Sequence, residues 1–271
     1  MHLSLTVALV PPVARPPRHV VCSGAAYDYC VQSLGCTAEE AAKAERALFP
    51  NIADRLTRAQ ANERCSWLQS SLDLSDAELK RLVMRSPQVL GLSVKNNIKP
   101  KIDWLQSRLD LDAGQLRKIV LRLPAGLGYS VEDNMAPKLD WLQGRLDLDE
   151  EELKKMVVVH PHLLGYSIED NLEPQLGFFE EELGLSVSDV RAGILSSPAR
   201  LSYSLKRRYR PRLEVCRATG TDPAIVLNGA SYTDEYFCKR VGVPLETLHA
   251  ASGAPSMSPP RSPPTSAFPS P

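Results

Sequence analysis

The chain has 271 residues, 43% of them hydrophobic, and its 32 basic and 32 acidic side chains cancel. This composition is typical of a folded protein, and it excludes a strongly basic protein that attracts polyanions through its overall field. No apolar run in the sequence reaches the roughly 18 residues that a membrane-spanning helix needs, so we expect no membrane association.

Residues 1–37 form the first region along the chain, and their start has an unusual composition. The first 27 residues contain no acid, and Arg15, Arg18 and two histidines accompany the apolar residues 3–10. This pattern predicts an organelle transit segment. The segment is rich in proline and poor in serine, so it fits an amphipathic presequence only in part.

Two sets of prolines define a tandem repeat in residues 38–222. The members of each set are 37 residues apart: Pro87, Pro124, Pro161 and Pro198, and then Pro100, Pro137, Pro174 and Pro211. Such a period is typical of helical units that bury their apolar faces against one another. We predict an all-α solenoid, right- or left-handed, of about five units, each with two α-helices and a short 3₁₀ turn. The unit at 38–74 is a degenerate copy.

The first helix of each unit is predicted from its start signal and its apolar stripe. Capping boxes are predicted at Ser75/Glu78, Asp112/Gln115, Asp149/Glu152 and Ser186/Asp189. Apolar residues then recur at i, i+3 and i+4, as in Leu79, Leu82 and Val83. The first proline ends the helix, because the residue before proline disfavours the α conformation. A leucine follows three residues later, which predicts a 3₁₀ turn packed on one side.

The second proline lies near the start of the second helix, and two starting points are compatible with it. If Ser93 and its counterparts cap the helix, the proline falls at the seventh position and costs about 3 kcal/mol unless the helix kinks. If Asn97 and its counterparts cap it, the proline falls in the first turn, where its missing N–H does no harm. We predict the start at Asn97, Asn134 and Asn171.

The rest of the chain divides into a cap and a tail. An aromatic column at Trp67, Trp104, Trp141 and Phe178 could stack nucleic-acid bases, but aromatic residues at helical spacing favour a role in packing between helices. Residues 223–251 keep a helical pattern without the prolines, which predicts C-terminal capping helices. Residues 252–271 contain seven prolines and six serines, which predicts a disordered tail.

Nothing in the sequence predicts catalysis, a metal or a cofactor. The six cysteines form no Cys-x-x-Cys pair and are interpreted as reduced structural thiols. His160 and His162 flank Pro161 without a carboxylate or cysteine at metal-ligand spacing, so we interpret them as turn residues. No nucleophile elbow, glycine-rich phosphate loop or zinc signature is present. We therefore predict a protein that is not an enzyme.

Charge is distributed unevenly among the units. Residues 75–111 hold seven bases and four acids, 112–148 five and five, 149–185 two and ten, and 186–222 eight and three. A basic column recurs on the first helices and extends from Lys43 in the first unit; its other members are Lys80, Arg81, Arg85, Arg117, Lys118, Arg122, Lys154, Lys155 and Arg191. Stacked helices are about 8–10 Å apart, so this column could follow a phosphate backbone. The alternative is pairing with acids one turn away, as in Asp76/Lys80, Glu78/Arg81 and Glu151/Lys155.

The densest basic run lies in the fifth unit. It consists of Lys206, Arg207, Arg208, Arg210 and Arg212, with Tyr209 within the run and Tyr203 three residues before it. Arginine forks match phosphates and tyrosines offer planar faces, so we predict a nucleic-acid contact here. The alternative is that this run pairs with the acidic residues 180–182.

The repeat resembles that of the mitochondrial transcription termination factor (mTERF) family. The resemblance rests on the turn at 86–92, the turn at 160–166 and the Ser-Val-x-x-Asn-x-x-Pro-Lys pattern, and it covers residues 38–222. It implies a left-handed solenoid that binds duplex DNA or structured RNA in mitochondria, or alternatively in plastids. It further implies regulation of transcription, its termination or RNA processing, alongside transcription or ribosome-assembly proteins. We expect a monomer. A protein-interaction scaffold of the same shape, which binds no nucleic acid, is the competing hypothesis, and net neutrality favours it.

Overall fold

The computed structural model describes residues 24–253, and the remainder of the predicted transit segment and tail lies outside the described residues. All regular structure in this range is helical. The α-helices are α1 (Ala25–Gln32), α2 (Ala38–Ala47), α3 (Pro50–Ala53), α4 (Arg58–Leu72), α5 (Asp76–Arg85), α6 (Lys99–Arg108), α7 (Ala113–Arg122), α8 (Ala136–Leu146), α9 (Glu150–Val159), α10 (Glu173–Gly177), α11 (Val187–Ser196), α12 (Arg210–Thr219), α13 (Ala224–Asn228), α14 (Asp234–Val241) and α15 (Leu245–Ala251).

The predicted helical-repeat architecture is confirmed. We number the repeats 1 (38–74), 2 (75–111), 3 (112–148), 4 (149–185) and 5 (186–222). Their first helices are α2, α5, α7, α9 and α11. Four 3₁₀ turns follow the first helices of repeats 2 to 5, at Pro87–Gly91, Pro124–Gly128, Pro161–Gly165 and Pro198–Ser202. Each begins at the predicted proline.

The first helices start where local chemistry places them. Reciprocal capping boxes join Ser75 to Glu78, Asp112 to Gln115 and Asp149 to Glu152, as predicted. At Ser186 the hydroxyl accepts a hydrogen bond from the Asp189 N–H, but the reciprocal bond to the Ser186 N–H is absent among the described contacts. The caps satisfy free N–H groups of the first turn and thereby hold the helix ends in register.

The asparagine caps predicted for the second helices are wrong, whereas the predicted place of the proline in the first α-helical turn is confirmed, because α6, α8 and α10 each begin one residue before their proline. Ser93, Ser130, Ser167 and Ser204 are the caps, and each hydroxyl accepts from the N–H three residues later. The helix opens with a π-helical turn, in which the Ile98 N–H donates to the Ser93 carbonyl at 3.0 Å. This wider turn precedes Pro100, so the proline falls at the transition from π to α geometry. The ring clash that an α-helix would impose at the seventh position is thus relieved.

The second helices of repeats 1 to 4 end in the left-handed conformation. Asp73, Asp110 and Asp147 have φ angles of 49°, 46° and 48°, and Gly184 occupies the same position in repeat 4 with φ 68°. Short polar residues and glycine tolerate this conformation best. The chain therefore turns sharply into the next repeat at a fixed point.

One continuous core runs through the described residues. The predicted stripe of Leu79, Leu82 and Val83 is buried, and so are its counterparts in repeats 3 and 4. Phe178 is buried, and Trp67, Trp104 and Trp141 are half-buried against the core. The aromatic column therefore packs between helices. Helix α1 adds Tyr29 and Cys30 to this core, and α13, α14 and α15 follow the last repeat.

Candidate nucleic-acid interface

The basic column of the first helices separates into two columns with different environments. Lys80, Arg117, Lys154 and Arg191 occupy the fifth position of their helices and form ion pairs; we call them the paired column. Lys43, Arg81, Lys118 and Lys155 occupy the sixth position and are exposed; we call them the free column. Within residues 24–253 the free column has no hydrogen-bond or ion-pair partner.

Three members of the paired column, Lys80, Arg117 and Arg191, join their first helix to the preceding one. Arg117 Nη2 lies 2.6 Å from Glu78 Oε2, and Arg191 Nη2 lies 2.6 Å from Glu152 Oε2. Lys80 Nζ lies 2.9 Å from Glu40 Oε2. Glu40, Glu78 and Glu152 are the third residues of their helices, and each also accepts the N–H of the capping residue in a capping box. The cations thus hold repeats together.

Repeat 3 breaks this pattern. Gln115 stands where the other helices have Glu40, Glu78 or Glu152, so it offers no carboxylate to Lys154. Lys154 Nζ instead lies 3.3 Å from Glu151 Oε1 and 3.5 Å from Asp110 Oδ2. The expected pairs Asp76/Lys80, Glu78/Arg81 and Glu151/Lys155 are all wrong. The observed pairs are Lys80 with Glu40, Arg117 with Glu78 and Lys154 with Glu151.

Glu78 is the most perturbed carboxylate in the column. Hydrogen bonds from the Ser75 hydroxyl and the Ser75 N–H, followed by one from Arg117, lower its pKa to about 2. The pKa of Glu40 is lowered by the Thr37 N–H and by Lys80, whose own pKa is raised by this pairing. Both carboxylates remain charged at neutral pH.

Arg85 and Arg122 close the ends of neighbouring first helices. Arg85 donates to the carbonyl oxygens of Leu121 and Arg122 at 3.2 and 3.3 Å. Arg122 donates to the Val159 carbonyl at 2.6 Å. Both side chains belong to exposed residues, and both lie at the carbonyl-rich end of a helix, where a cation is stabilised by the helix dipole.

Cations of the paired column, the free column and the helix ends lie together in a groove between α5 and α7, which we call the basic groove. It has a volume of about 370 Å³. Its lining comprises Arg81, Arg85, Gly114, Arg117, Lys118, Leu121 and Arg122. Five of these seven residues are cationic, and none of the described lining residues is acidic. Phosphate oxygens are the natural partner of such a cluster of lysine and arginine.

The equivalent groove one repeat further, between α7 and α9, has the opposite character; we call it the acidic groove. It has a volume of about 400 Å³. Its lining comprises Gln115, Asp149, Glu151, Glu152, Lys154, Lys155, Val158 and Val159. Glu151 stands 37 residues after Gly114, and Val159 stands 37 residues after Arg122. Two substitutions between repeats thus remove one cation and add one acid.

The basic run of repeat 5 is only partly exposed to solvent. Lys206 and Arg207 are exposed and have no side-chain partner among the described residues. Arg208 donates to the carbonyls of Ala230 and Tyr232, and its guanidinium lies 4.8 Å from the centre of the Tyr203 ring. Arg210 pairs with Glu182 at 2.8 Å, the acid that the alternative interpretation of this run proposed.

The predictions for two residues in this part of the chain, Arg212 and Tyr209, are corrected by the structure. Arg212 is completely buried, and it donates to the Gly229 and Tyr232 carbonyls and to Asp234 Oδ1. Its guanidinium therefore holds the C-terminal helices and is inaccessible to nucleic acid. Tyr209 is also completely buried, and its hydroxyl donates to the Arg200 carbonyl at 2.6 Å. The predicted contacts of both residues with nucleic acid are wrong.

Arg212 belongs to a further column, which the sequence patterns did not predict. It consists of the residues that directly follow the second proline of each unit, or the equivalent position in repeat 1. Its members are Arg64, Lys101, Lys138, Gln175 and Arg212. The first four donate to the carbonyl of the leucine 26 residues later, in the 3₁₀ turn of the next repeat. The signal was present, since the 37-residue spacing is regular and the residues are good donors. We call it the donor column.

The acids of repeat 4 are largely paired within the array. Arg145 contacts Glu180 at 2.8 Å and Glu173 at 3.1 Å, and these contacts raise the pKa of Arg145 despite partial burial. Glu152 and Glu182 pair with arginines of repeat 5. The opposite charge of repeats 4 and 5 therefore serves, in part, to join them.

The described residues show little sign of other chemistry. Between residues 24 and 253, no group of three or more His, Cys, Asp or Glu could hold a metal ion. None of the helices in that range is long and apolar enough to cross a membrane. Cys30, Cys36, Cys65, Cys216 and Cys238 are free and buried, and Cys22 lies outside the described residues. Burial, His162 and Arg122 lower the pKa of His160.

Fold and surface together define an all-α tandem-repeat protein with a basic groove between neighbouring first helices. The family model described as mTERF matches residues 34–229, and the chain belongs to the mTERF family. This is a family of helical, nucleic-acid-binding, organellar proteins that are generally not enzymes. None of the curated proteins compared with the chain matches it.

Proposed function

We propose that this protein binds duplex nucleic acid along its first helices, with the basic groove as the main contact. The observation that carries the proposal is the groove itself, where Arg81 and Lys118 stand free beside Arg85, Arg117 and Arg122. Lys43, Arg81 and Lys118 lie on successive first helices, one helix spacing of about 8–10 Å apart, which a phosphate backbone can follow. Lys206 and Arg207 supply a second, smaller contact.

We further propose that binding regulates transcription, its termination or RNA processing in mitochondria, with the plastid as the alternative compartment. Membership of the mTERF family supports this proposal, because the family is organellar and binds nucleic acid. The acid-free start of the chain supports it further. A fluorescent fusion of residues 1–40 tests the compartment, and a signal that remains in the cytosol contradicts this part of the proposal.

The binding test reverses the charge of Arg81 and Lys118 together. In fluorescence anisotropy with a 25-base-pair duplex, we expect the Arg81→Glu/Lys118→Glu variant to bind more weakly by about tenfold to a hundredfold. Wild-type affinity should fall steeply between 50 and 200 mM salt, because phosphate contacts release counterions.

The matched control is Lys239→Glu/Arg240→Glu, which changes net charge equally on α14. Both residues are exposed, and no described residue pairs with their side chains. We expect this variant to bind almost as the wild type does. Equal losses in the two double variants would contradict the proposed interface, since they would indicate a response to net charge alone. Duplex RNA in the same assay identifies the preferred nucleic acid.

The scaffold hypothesis receives less support from the contacts. Glu152, Glu180 and Glu182 pair with arginines of the array, so they do not stand free for a partner protein. Affinity purification with and without nuclease separates the two hypotheses. Partners that are lost on nuclease treatment support nucleic-acid binding, whereas partners that are retained support a scaffold.

A further inference from the structure

We infer that the nucleic-acid track is confined to repeats 1 to 3 and that Glu151 at the start of α9 ends it. This inference rests on the proposed function and specifies how far the ligand extends. It follows from comparing equivalent positions of α7 and α9, which line two successive grooves and differ in charge.

The two grooves share one wall, which α7 forms in the basic groove and α9 forms in the acidic groove. The opposite wall differs, since Arg81 and Arg85 line the basic groove and Gln115 lines the acidic groove. Arg117, Lys118 and Leu121 in the basic groove correspond, 37 residues later, to Lys154, Lys155 and Val158 in the acidic groove. The position of Gly114 is taken by Glu151, whose side chain is 78% exposed. A carboxylate therefore stands in the acidic groove where the basic groove has no side chain at all.

The shared wall differs in charge between the two grooves. At its five equivalent positions, α7 carries three cations and no acid, whereas α9 carries two cations and the acid Glu151. A phosphate beside Lys155 in the acidic groove would also lie near the carboxylate of Glu151. The negative charges of the phosphate and of Glu151 repel each other, so we infer that the track does not use Lys155 although this cation is free.

Arg122 marks the same boundary from the other end of the helices. Arg85 and Arg122 occupy equivalent positions in α5 and α7. The equivalent residue in α9 is Val159, which is 44% exposed. The row of cations at the carbonyl ends of the helices therefore also stops before repeat 4. The loss of this cation and the appearance of Glu151 fall at the same junction between repeats 3 and 4.

The length of the track follows from the helix spacing. From Lys43 through Arg81 to Lys118 there are two steps of about 8–10 Å, or roughly 16–20 Å. At about 3.4 Å per base pair, this corresponds to about five or six base pairs of continuous backbone contact. Lys206 and Arg207 lie beyond the acidic repeat, so they form a contact separate from this track.

A pair of glycine variants tests whether the vacant position opens the basic groove. Gly114→Glu introduces into repeat 3 the carboxylate that repeat 4 has, and we expect about tenfold weaker binding. An added Cβ would lie 3.3 Å from Asp112 Oδ1, and an acid in the first turn suits the helix dipole, so the fold should tolerate the change. Gly144→Glu is the control, because Gly144 is exposed on α8 with open space around it.

The gain-of-function arm replaces Glu151 by lysine. We expect Glu151→Lys to bind about threefold to tenfold more tightly, to steepen the salt dependence by about one phosphate contact, and to lengthen the hydroxyl-radical footprint by two or three base pairs. Glu181→Lys is the control, because Glu181 is exposed in the same repeat but lies in the π-helical turn Phe178–Glu182, which follows α10. Lys155→Ala should leave wild-type affinity unchanged and should weaken binding in the Glu151→Lys background.

The outcomes separate this inference from the proposed function. If wild-type binding depends on Arg81 and Lys118 but Glu151→Lys and Glu181→Lys have equal effects, the track is not bounded at Glu151 and the inference is overturned. A loss of affinity in Lys155→Ala as large as that in Lys118→Ala overturns it as well. If the wild type shows no dependence on Arg81 and Lys118, the proposed function itself fails.

Discussion

Replacing Lys138 by methionine should destabilise the array by removing one member of the donor column. Lys138 is 5% exposed, and its ammonium donates to the Leu164 carbonyl at 2.7 Å and to Asn134 Oδ1 at 3.1 Å. Methionine keeps most of the aliphatic packing but cannot donate, so the carbonyl of the next repeat loses its side-chain donor.

The expected size follows from these two contacts. An unsatisfied buried acceptor costs about 1–3 kcal/mol. Part of this is offset because the buried ammonium is itself poorly solvated, which is why burial lowers the pKa of Lys138. We therefore expect a net loss of about 1–2 kcal/mol. For a folded unit of this size, that lowers Tm by about 2–8 °C.

The chain supplies its own control for this experiment. Gln175 occupies the same position in repeat 4 and donates through Nε2 to the carbonyls of Leu201 and Tyr203. Lys138→Gln should therefore retain most of the stability, and Lys118→Met, at an exposed and unpaired position, should leave Tm unchanged. Thermal unfolding followed by circular dichroism measures all three. If Lys138→Met is as stable as the wild type, or Lys138→Gln as unstable as Lys138→Met, the reasoning is refuted.

Two further predictions concern the repeat contacts. The pKa of Glu78 is depressed to about 2 by Ser75 and Arg117, so its contribution to stability is complete above the ordinary glutamate pKa of about 4.5 and is lost as pH falls through about 2. The difference in urea midpoint between wild type and Glu78→Gln should accordingly shrink between pH 7 and pH 2.5, and a constant difference would contradict the assignment. Arg212→Met should lower the free energy of unfolding by about 2–4 kcal/mol, because removing the buried guanidinium leaves two carbonyls and Asp234 without their donor. Limited proteolysis should then cut first within residues 224–251, and cleavage at the first repeats instead would argue against this role.

Much of the fold was predictable from the sequence, because its determinants are local. Capping residues and prolines act within one turn of the backbone, so helix ends at Ser75, Pro87 and Pro124 followed from neighbouring residues alone. The cap of the second helices was predicted wrongly at Asn97, although the proline does lie in the first α-helical turn. A proline at the seventh position of an α-helix clashes with the preceding turn, and the π-helical turn after Ser93 removes that clash.

The surface was less predictable, because it depends on contacts between repeats. Arg117 and Lys118 are adjacent and both basic, yet Arg117 pairs with Glu78, 39 residues earlier, and Lys118 is free. Likewise Arg212 lies within a basic run and is buried, because the C-terminal helices fold over it. Hydrophobic periodicity does not encode which cation meets an acid of the neighbouring helix.

The sequence by itself determined that this chain is an mTERF repeat protein with 37-residue units, because repeated prolines, caps and apolar stripes are properties of each unit taken alone. Only the tertiary structure decided which lysines and arginines are available to a ligand. Stacking places Glu40, Glu78 and Glu152 beside the paired column and leaves the free column exposed. The physical reason is that a charge on a surface is neutralised by whatever lies within a few ångströms, and those neighbours come from another repeat.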